Sequence, residues 1–266
     1  MSTDNRSVRG TFPFGAPLRE LTQADRGPKR VFVLGVYASA VHATWFGEDG
    51  RVKVRALAVA SEPEIFWTGD RAAELVAGLH VPRGAGRLAA ADSQLNGPSG
   101  RSLDNDYLAP LGVDRRSAWL CDLVPHACLN PNQKAAIGRA YDPEAARLGL
   151  PAVDLPDVPR VFADAARRAE ILAEVEAADP EVLVLLGDQP IRHWLAHLQP
   201  GRARLASFGA DAESYGRLHE VVIAGRARQV LPLAHPRQVS GLGTHSGTWR
   251  ELHRGWKTGV AARLLG

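Results

Sequence analysis

Four short apolar runs constrain what this chain can fold into. They are Arg30-Val-Phe-Val-Leu-Gly35, Ser117-Ala-Trp-Leu-Cys-Asp-Leu-Val124, Glu181-Val-Leu-Val-Leu-Leu-Gly187 and the stretch 229–234. Each is too short for an ordinary globular helix and lacks polar alternation. A strand buried on both faces of a parallel sheet reads this way. Helical patterns stand between the runs. Residues 161–178 are amphipathic, 188–198 carry Pro190 in their first turn, and 246–264 follow the last run. Residues 218–223 add a further strand candidate. This alternation predicts an α/β fold with a central, mainly parallel sheet flanked by helices.

Other stretches depart from that rhythm. Residues 51–59 alternate polar and apolar side chains behind Glu48-Asp-Gly50, which predicts a β-hairpin inserted near 44–67. Short helices are expected over 69–80 and 102–112. Residues 1–29 are polar and interrupted by Gly and Pro, and read as a loose N-terminal arm with a short helix near 18–24. Residues 129–160 are rich in proline and read as a long, mostly irregular connection. The expected organisation is therefore an arm over 1–29 and one domain over 30–266.

Composition narrows the partners. With 32 Lys and Arg against 29 Asp and Glu, the net charge of +3 permits nucleic acid without demanding it. Two cysteines cannot supply a four-cysteine cluster or a disulfide framework, which favours a reducing cytoplasm. No run is apolar enough for a signal peptide or a bilayer span, so no membrane is expected. Cys121, His126 and Cys128 match no common zinc spacing, so neither metal nor cofactor is expected. A monomer is expected.

Polar residues gather where strands end: Gly35–His42, Asp122–His126 and His235–Ser240. In an open α/β sheet, ligands bind at the carboxyl ends of strands. The stretch 230–243 is the most concentrated example. Its apolar run stops at Ala234, His235-Pro236 breaks it, and Arg237, Gln238, Ser240 and Gly241 follow. An imidazole, a guanidinium, a hydroxyl and free backbone N–H groups so placed suit an anion or a phosphate. On its own the stretch reads first as a strand-to-helix turn with a surface histidine.

Five segments taken in order resemble the uracil-DNA glycosylase superfamily. They are 31–35, Gly97-Pro-Ser-Gly-Arg-Ser-Leu103, 119–124, 182–187 and 234–241, and the resemblance runs from about Arg30 to Trp256. They are similar to that family's water-activating motif, its G-x-x-G-R-x-L segment, its base-reading strand, its Leu-Gly strand and its His-Pro-Ser loop. The resemblance implies a monofunctional DNA glycosylase, with His235 stabilising the departing base. It also implies that Arg237, Gln238, Ser240 and Gly241, with Ser99, Gly100 and Arg101, hold phosphates. Val239 or Leu242 would be a wedge into the duplex, and Arg250, Arg254, Lys257, Lys134 and Arg139 would be further phosphate contacts.

The departures suggest which base. In the best-known branch the first motif reads G-Q-D-P-Y, whereas Gly35-Val-Tyr-Ala-Ser39 stands here. Tyr37 occupies the position of the catalytic aspartate and Ser39 that of a bulky tyrosine. With His42 and Asp104, Tyr37 is a candidate to position water. Gly35 and Val36 would line the base site, and Leu95 replaces a stacking aromatic. Asp122 replaces the base-reading asparagine, and a protonated carboxyl there would donate to N3 and accept from N4–H of cytosine. The small Ser39 and the non-aromatic Leu95 leave room beside C5. A cytosine-type base with a bulky 5-substituent is therefore expected. Such bases occur in modified phage genomes, which suggests restriction or antiviral defence. The alternatives are a uracil-DNA glycosylase of DNA repair, a non-catalytic DNA-binding member, and a hydrolase of free nucleotides.

Overall fold

The structure is a computed structural model and describes residues 8–241 and 246–265. Its strands are β1 (Val8–Thr11), β2 (Pro17–Arg19), β3 (Val31–Tyr37), β4 (Ala40–Phe46), β5 (Val52–Ser61), β6 (Arg87–Ala90), β7 (Ala118–Val124), β8 (Val182–Leu186), β9 (His219–Ile223) and β10 (Arg226–Leu233). The main helical runs are α1 (Ala72–Ala77), α2 (98–111), α3 (131–148), α4 (Ala165–Ala178), α5 (188–198), α6 (Pro236–Val239) and α7 (Ser246–Gly259). Where the sequence predicts one domain, the chain divides into two compact units. Among the described residues one comprises 8–21, 37–100 and 125–160, and the other 22–36, 101–124 and 161–265. The physical reason is that the segments between the main strands bring a core of their own.

The larger unit holds a five-stranded sheet in the order β7-β3-β8-β10-β9. β8 pairs in parallel with β3, matching Val33 to Val184, and with β10, matching Val184 to Leu231. β9 is antiparallel to β10, so the sheet is mixed and mostly parallel. As the apolar runs predict, β8 is buried along its whole length. Each fully buried Val or Leu there stabilises the unit by about 1.5–3 kcal/mol relative to an exposed one. Phe32 stacks on Trp119 at 6.3 Å, joining β3 to β7.

The smaller unit is built on a three-stranded antiparallel sheet, β5-β4-β6. The expected hairpin is β4 with β5, beginning at Ala40 rather than 44. β6 was not legible, because four residues behind Gly84 and Gly86 carry too little pattern. Trp45, Phe14 and Tyr141 form the aromatic centre of this core, with Phe14 edge-on to Trp45 at 5.5 Å and to Tyr141 at 5.3 Å. Residues 8–21 are therefore not a loose arm, and no helix forms near 18–24. β1 and β2 pair instead, and Phe12 and Leu18 are fully buried. Nor is 129–160 mainly irregular. Pro131 and Pro143 start helical turns rather than break them. Asn130 accepts from the Gln133 N–H at 3.0 Å with Pro131 in the first turn, and Pro143 sits at the start of the next segment.

Candidate functional site

β10 ends at Leu233, and Ala234-His235-Pro236 lead into α6. Proline at 236 holds His235 extended, at φ −69° and ψ 146°, as the cap of that short helix. The His235 N–H donates to Gln238 Oε1 at 3.1 Å, and His235 Nδ1 accepts from the Arg237 N–H at 3.2 Å. An Nδ1 that accepts carries no proton, so in the neutral ring the proton sits on Nε2. Burial, and then the Arg237 guanidinium, push the imidazole down to about 4, so the ring is neutral at pH 7. His235 thus offers one N–H donor just beyond a parallel strand.

Two buried supports fix this histidine. Gly187, after β8, has φ +85° and donates its N–H to Leu233 O at 2.8 Å. A Cβ there would lie 3.0 Å from His235 Cβ, in a backbone conformation that L side chains rarely adopt. Gly187→Ala is therefore expected to displace the imidazole. The fold should lose ~1–3 kcal/mol, read by denaturant melting.

Ala234 is the second support, held by two tyrosine hydroxyls. Its N–H donates to Tyr215 Oη at 2.9 Å, and its carbonyl accepts from Tyr107 Oη at 2.7 Å. The Tyr215 hydroxyl donates to His253 Nδ1 at 2.8 Å, and His253 Nε2 donates to the Asp106 carbonyl at 2.9 Å. Donation runs one way along this chain, which requires a neutral His253. Burial pushes that imidazole down to about 4. Tyr215→Phe leaves the Ala234 N–H and His253 Nδ1 unpaired inside the unit. A loss of ~1–3 kcal/mol is expected, measured as a lower denaturant midpoint with an unchanged slope.

Asp122 lies in β7, every residue of which is buried, and is itself 4% exposed. Burial raises its carboxyl to about 7, against the opposing pull of Arg167. Among the described residues none donates a hydrogen bond to that carboxylate; the Arg167 guanidinium donates instead to the Asp122 backbone carbonyl, at 2.8 Å. A buried carboxyl with free oxygens and a midpoint near neutrality can present a donor as well as an acceptor.

The remaining predicted residues fall in both units. In the larger unit, Gly35 is buried in β3, Val36 is half-buried beside it, and Arg101 is half-buried in α2. Arg237, Ser240 and Gly241 are exposed after β10, and the Ser240 hydroxyl donates to the Arg237 carbonyl at 3.2 Å. A Cβ at Gly241 would lie 3.1 Å from Arg250 Nη1, so the α7 arginine reaches this loop. Val239 is half-buried, and Leu242 lies outside the described residues. Asp104 accepts from Arg115 at 2.7 Å. In the smaller unit, Tyr37 is half-buried, Ser39 is exposed, Leu95 is 40% exposed and Ser99 is half-buried. Gly100 is a packing glycine, since a Cβ would come within 2.1 Å of the Phe66 carbonyl oxygen. His42 is a core histidine, its Nε2 3.1 Å from Gln133 Nε2.

Sequence reasoning missed Gly187 as a support, the Tyr107–Tyr215–His253 chain, and Arg167. The Leu-Gly ending of β8 was a usable signal for the first. The tyrosines and His253 are scattered along the chain and gave none. No family model matches the chain, and no curated protein matches it. No helix among the described residues is long and apolar enough to cross a membrane.

Proposed function

We propose that this protein is a monofunctional DNA glycosylase that excises a flipped cytosine-type base carrying a bulky 5-substituent. The observation that carries this reading is His235, a neutral imidazole whose Nδ1 is occupied by a backbone N–H, so that Nε2–H is the donor with no acceptor among the described residues. In base excision the N-glycosidic bond breaks, its electron pair moves onto the base, and the sugar becomes oxocarbenium-like. The Nε2–H stabilises the anion developing at pyrimidine O2, and water then adds to the sugar to give an abasic site, its released proton ending on the departed base. A neutral donor suits this step, because it binds the anion without the ring first taking up a proton from solvent.

Asp122 supports the choice of base. With its carboxyl raised to about 7, the protonated form is available at neutral pH to donate to N3 while accepting from N4–H. Arg237, Ser240 and the nearby Arg250 are exposed beside His235 and supply phosphate contacts, which orient DNA without reading it. Cleavage of such bases would serve restriction of modified phage DNA. A non-catalytic DNA-binding role is the second reading. It is favoured by Tyr37 at the acid's position in the motif and by Asp104 and His42 both being engaged. Alkali-labile strand scission after incubation with modified-base duplexes separates the two, since binding alone creates no abasic site.

A further inference from the structure

Arg167 is the unexpected member of α4. The side chain is only 15% exposed and lies against three consecutive residues of β7. Nε donates to the Leu123 carbonyl at 3.2 Å, while Nη2 donates to the Asp122 carbonyl at 2.8 Å and to Cys121 Sγ at 3.2 Å. Nη1 faces the other way, to Glu170 at 3.0 Å and Glu174 at 3.4 Å. Glu174 is buried and also accepts from Trp119 Nε1 at 2.8 Å. One guanidinium and one carboxylate therefore stitch Trp119, Cys121, Asp122 and Leu123 to a single helix. β7 stands at the end of the sheet order, with β3 as its one strand neighbour. An arginine this buried is costly unless it is fully paired, and here its donors go to the Asp122 and Leu123 carbonyls, the Cys121 sulfur and two α4 glutamates.

Resting on the glycosylase reading above, we propose that Arg167 is the positioning residue that selects the base: its buried cation, pinned to the Asp122 and Leu123 carbonyls, decides whether Asp122 meets the base as donor and acceptor or as acceptor alone. A protonated Asp122 complements the N3 and N4–H pair of cytosine, whereas an ionised one has nothing to donate. Burial drives the carboxyl toward the neutral form, and the nearby cation opposes it. Other charged and titratable groups on or beside β7 are themselves engaged or held neutral. From α4 come Glu170 and Glu174, both bound to Arg167, and on β7 itself the Cys121 thiol is held high by burial. Ahead of β7, Arg115 is paired with Asp104, Arg116 with Asp114, and Arg26 lies over the Trp119 ring at 5.2 Å. The neighbouring strand β3 contributes buried apolar residues over 31–35 and ends in the half-buried Tyr37.

The test is the titration of the Asp122 carboxyl by carbon NMR of aspartate-labelled full-length protein, assigned with Asp122→Asn. Arg167→Gln should raise the midpoint by about 1 pH unit or more, and Arg167→Lys should hold it within about half of that. Glu174→Gln keeps the hydrogen-bonding shape and leaves the cation less compensated, so it should lower the midpoint. It decides the matter if Arg167→Gln does not fold. A midpoint unmoved in Arg167→Gln, or in Glu174→Gln where that variant alone folds, overturns the proposal. The pH at which excision is half-lost should move with the NMR midpoint. If wild type excises no base while the midpoint still follows position 167, the glycosylase reading fails and the control of Asp122 by Arg167 stands. If excision occurs and the midpoint does not move, the reverse holds.

Discussion

His235→Ala should reduce base release by about 10²–10³-fold while leaving substrate affinity nearly unchanged, because it removes a donor that matters only when the base becomes an anion. The side chain is half-buried and its one described side-chain hydrogen bond accepts from the Arg237 N–H, so the fold should survive its loss. Single-turnover kinetics under saturating enzyme read the chemical step, and DNA binding is measured separately. Wild type should keep a neutral His235 down to about pH 4, so no acidic loss of activity from this group is expected above that value. A binding-only protein would show no rate to lose. A histidine that merely contacts phosphate would lose affinity and salt dependence instead.

Asp122→Asn should move whatever activity is present toward uracil. An amide donates to O4 with one end and accepts from N3–H with the other, the complement of uracil, whereas protonated Asp122 complements cytosine. The same substitution has a second signature. In the folded protein Asp122 holds its proton to about pH 7, against an ordinary value of 3.8. The unfolded chain releases it near that ordinary value, so between the two the folded state binds more protons. Stability contributed by the group is full below about pH 4, declines as pH rises by about 1.4 kcal/mol per pH unit, and is gone once pH passes about 7. Asp122→Asn lacks this dependence. Its melting temperature relative to wild type should climb between pH 4 and 7 and level off above. The kcat/KM of wild type should fall as pH rises through about 7, and that limb should be absent in the variant.

The sheet was legible because its strands are buried on both faces, which writes continuous apolar runs at 31–34, 182–186 and 230–233. β10 starts earlier, at Arg226, because Ala224 and Gly225 adopt positive φ and turn β9 back on it. The charged residues at that end read as loop, yet Arg228 is carried in the ladder and paired with Asp179 at 2.7 Å. The smaller unit was much less legible. Its short helix α1 falls within the expected 69–80, but its long helical run starts at Pro131 and restarts at Pro143 and its third strand is four residues long, so periodicity had little to count there. Of the candidate site, His235 and Asp122 stood out because they interrupt or end apolar runs. Arg167 did not, since an arginine on an amphipathic helix ordinarily faces water. The hint was Glu170 and Glu174 at helical spacing on its own side, next to Ile171 and Val175, which are buried. Tyr107, Tyr215 and His253 are joined only by the fold.

The most direct measurement is a glycosylase panel. Single- and double-stranded oligonucleotides carrying uracil, cytosine, 5-hydroxymethylcytosine or glucosylated 5-hydroxymethylcytosine are incubated with wild type and with His235→Ala, then treated with alkali. Strand scission confined to the 5-substituted cytosines, present in wild type and lost in His235→Ala, is the predicted result. Scission at uracil alone, or at no base while DNA is still bound, would contradict it.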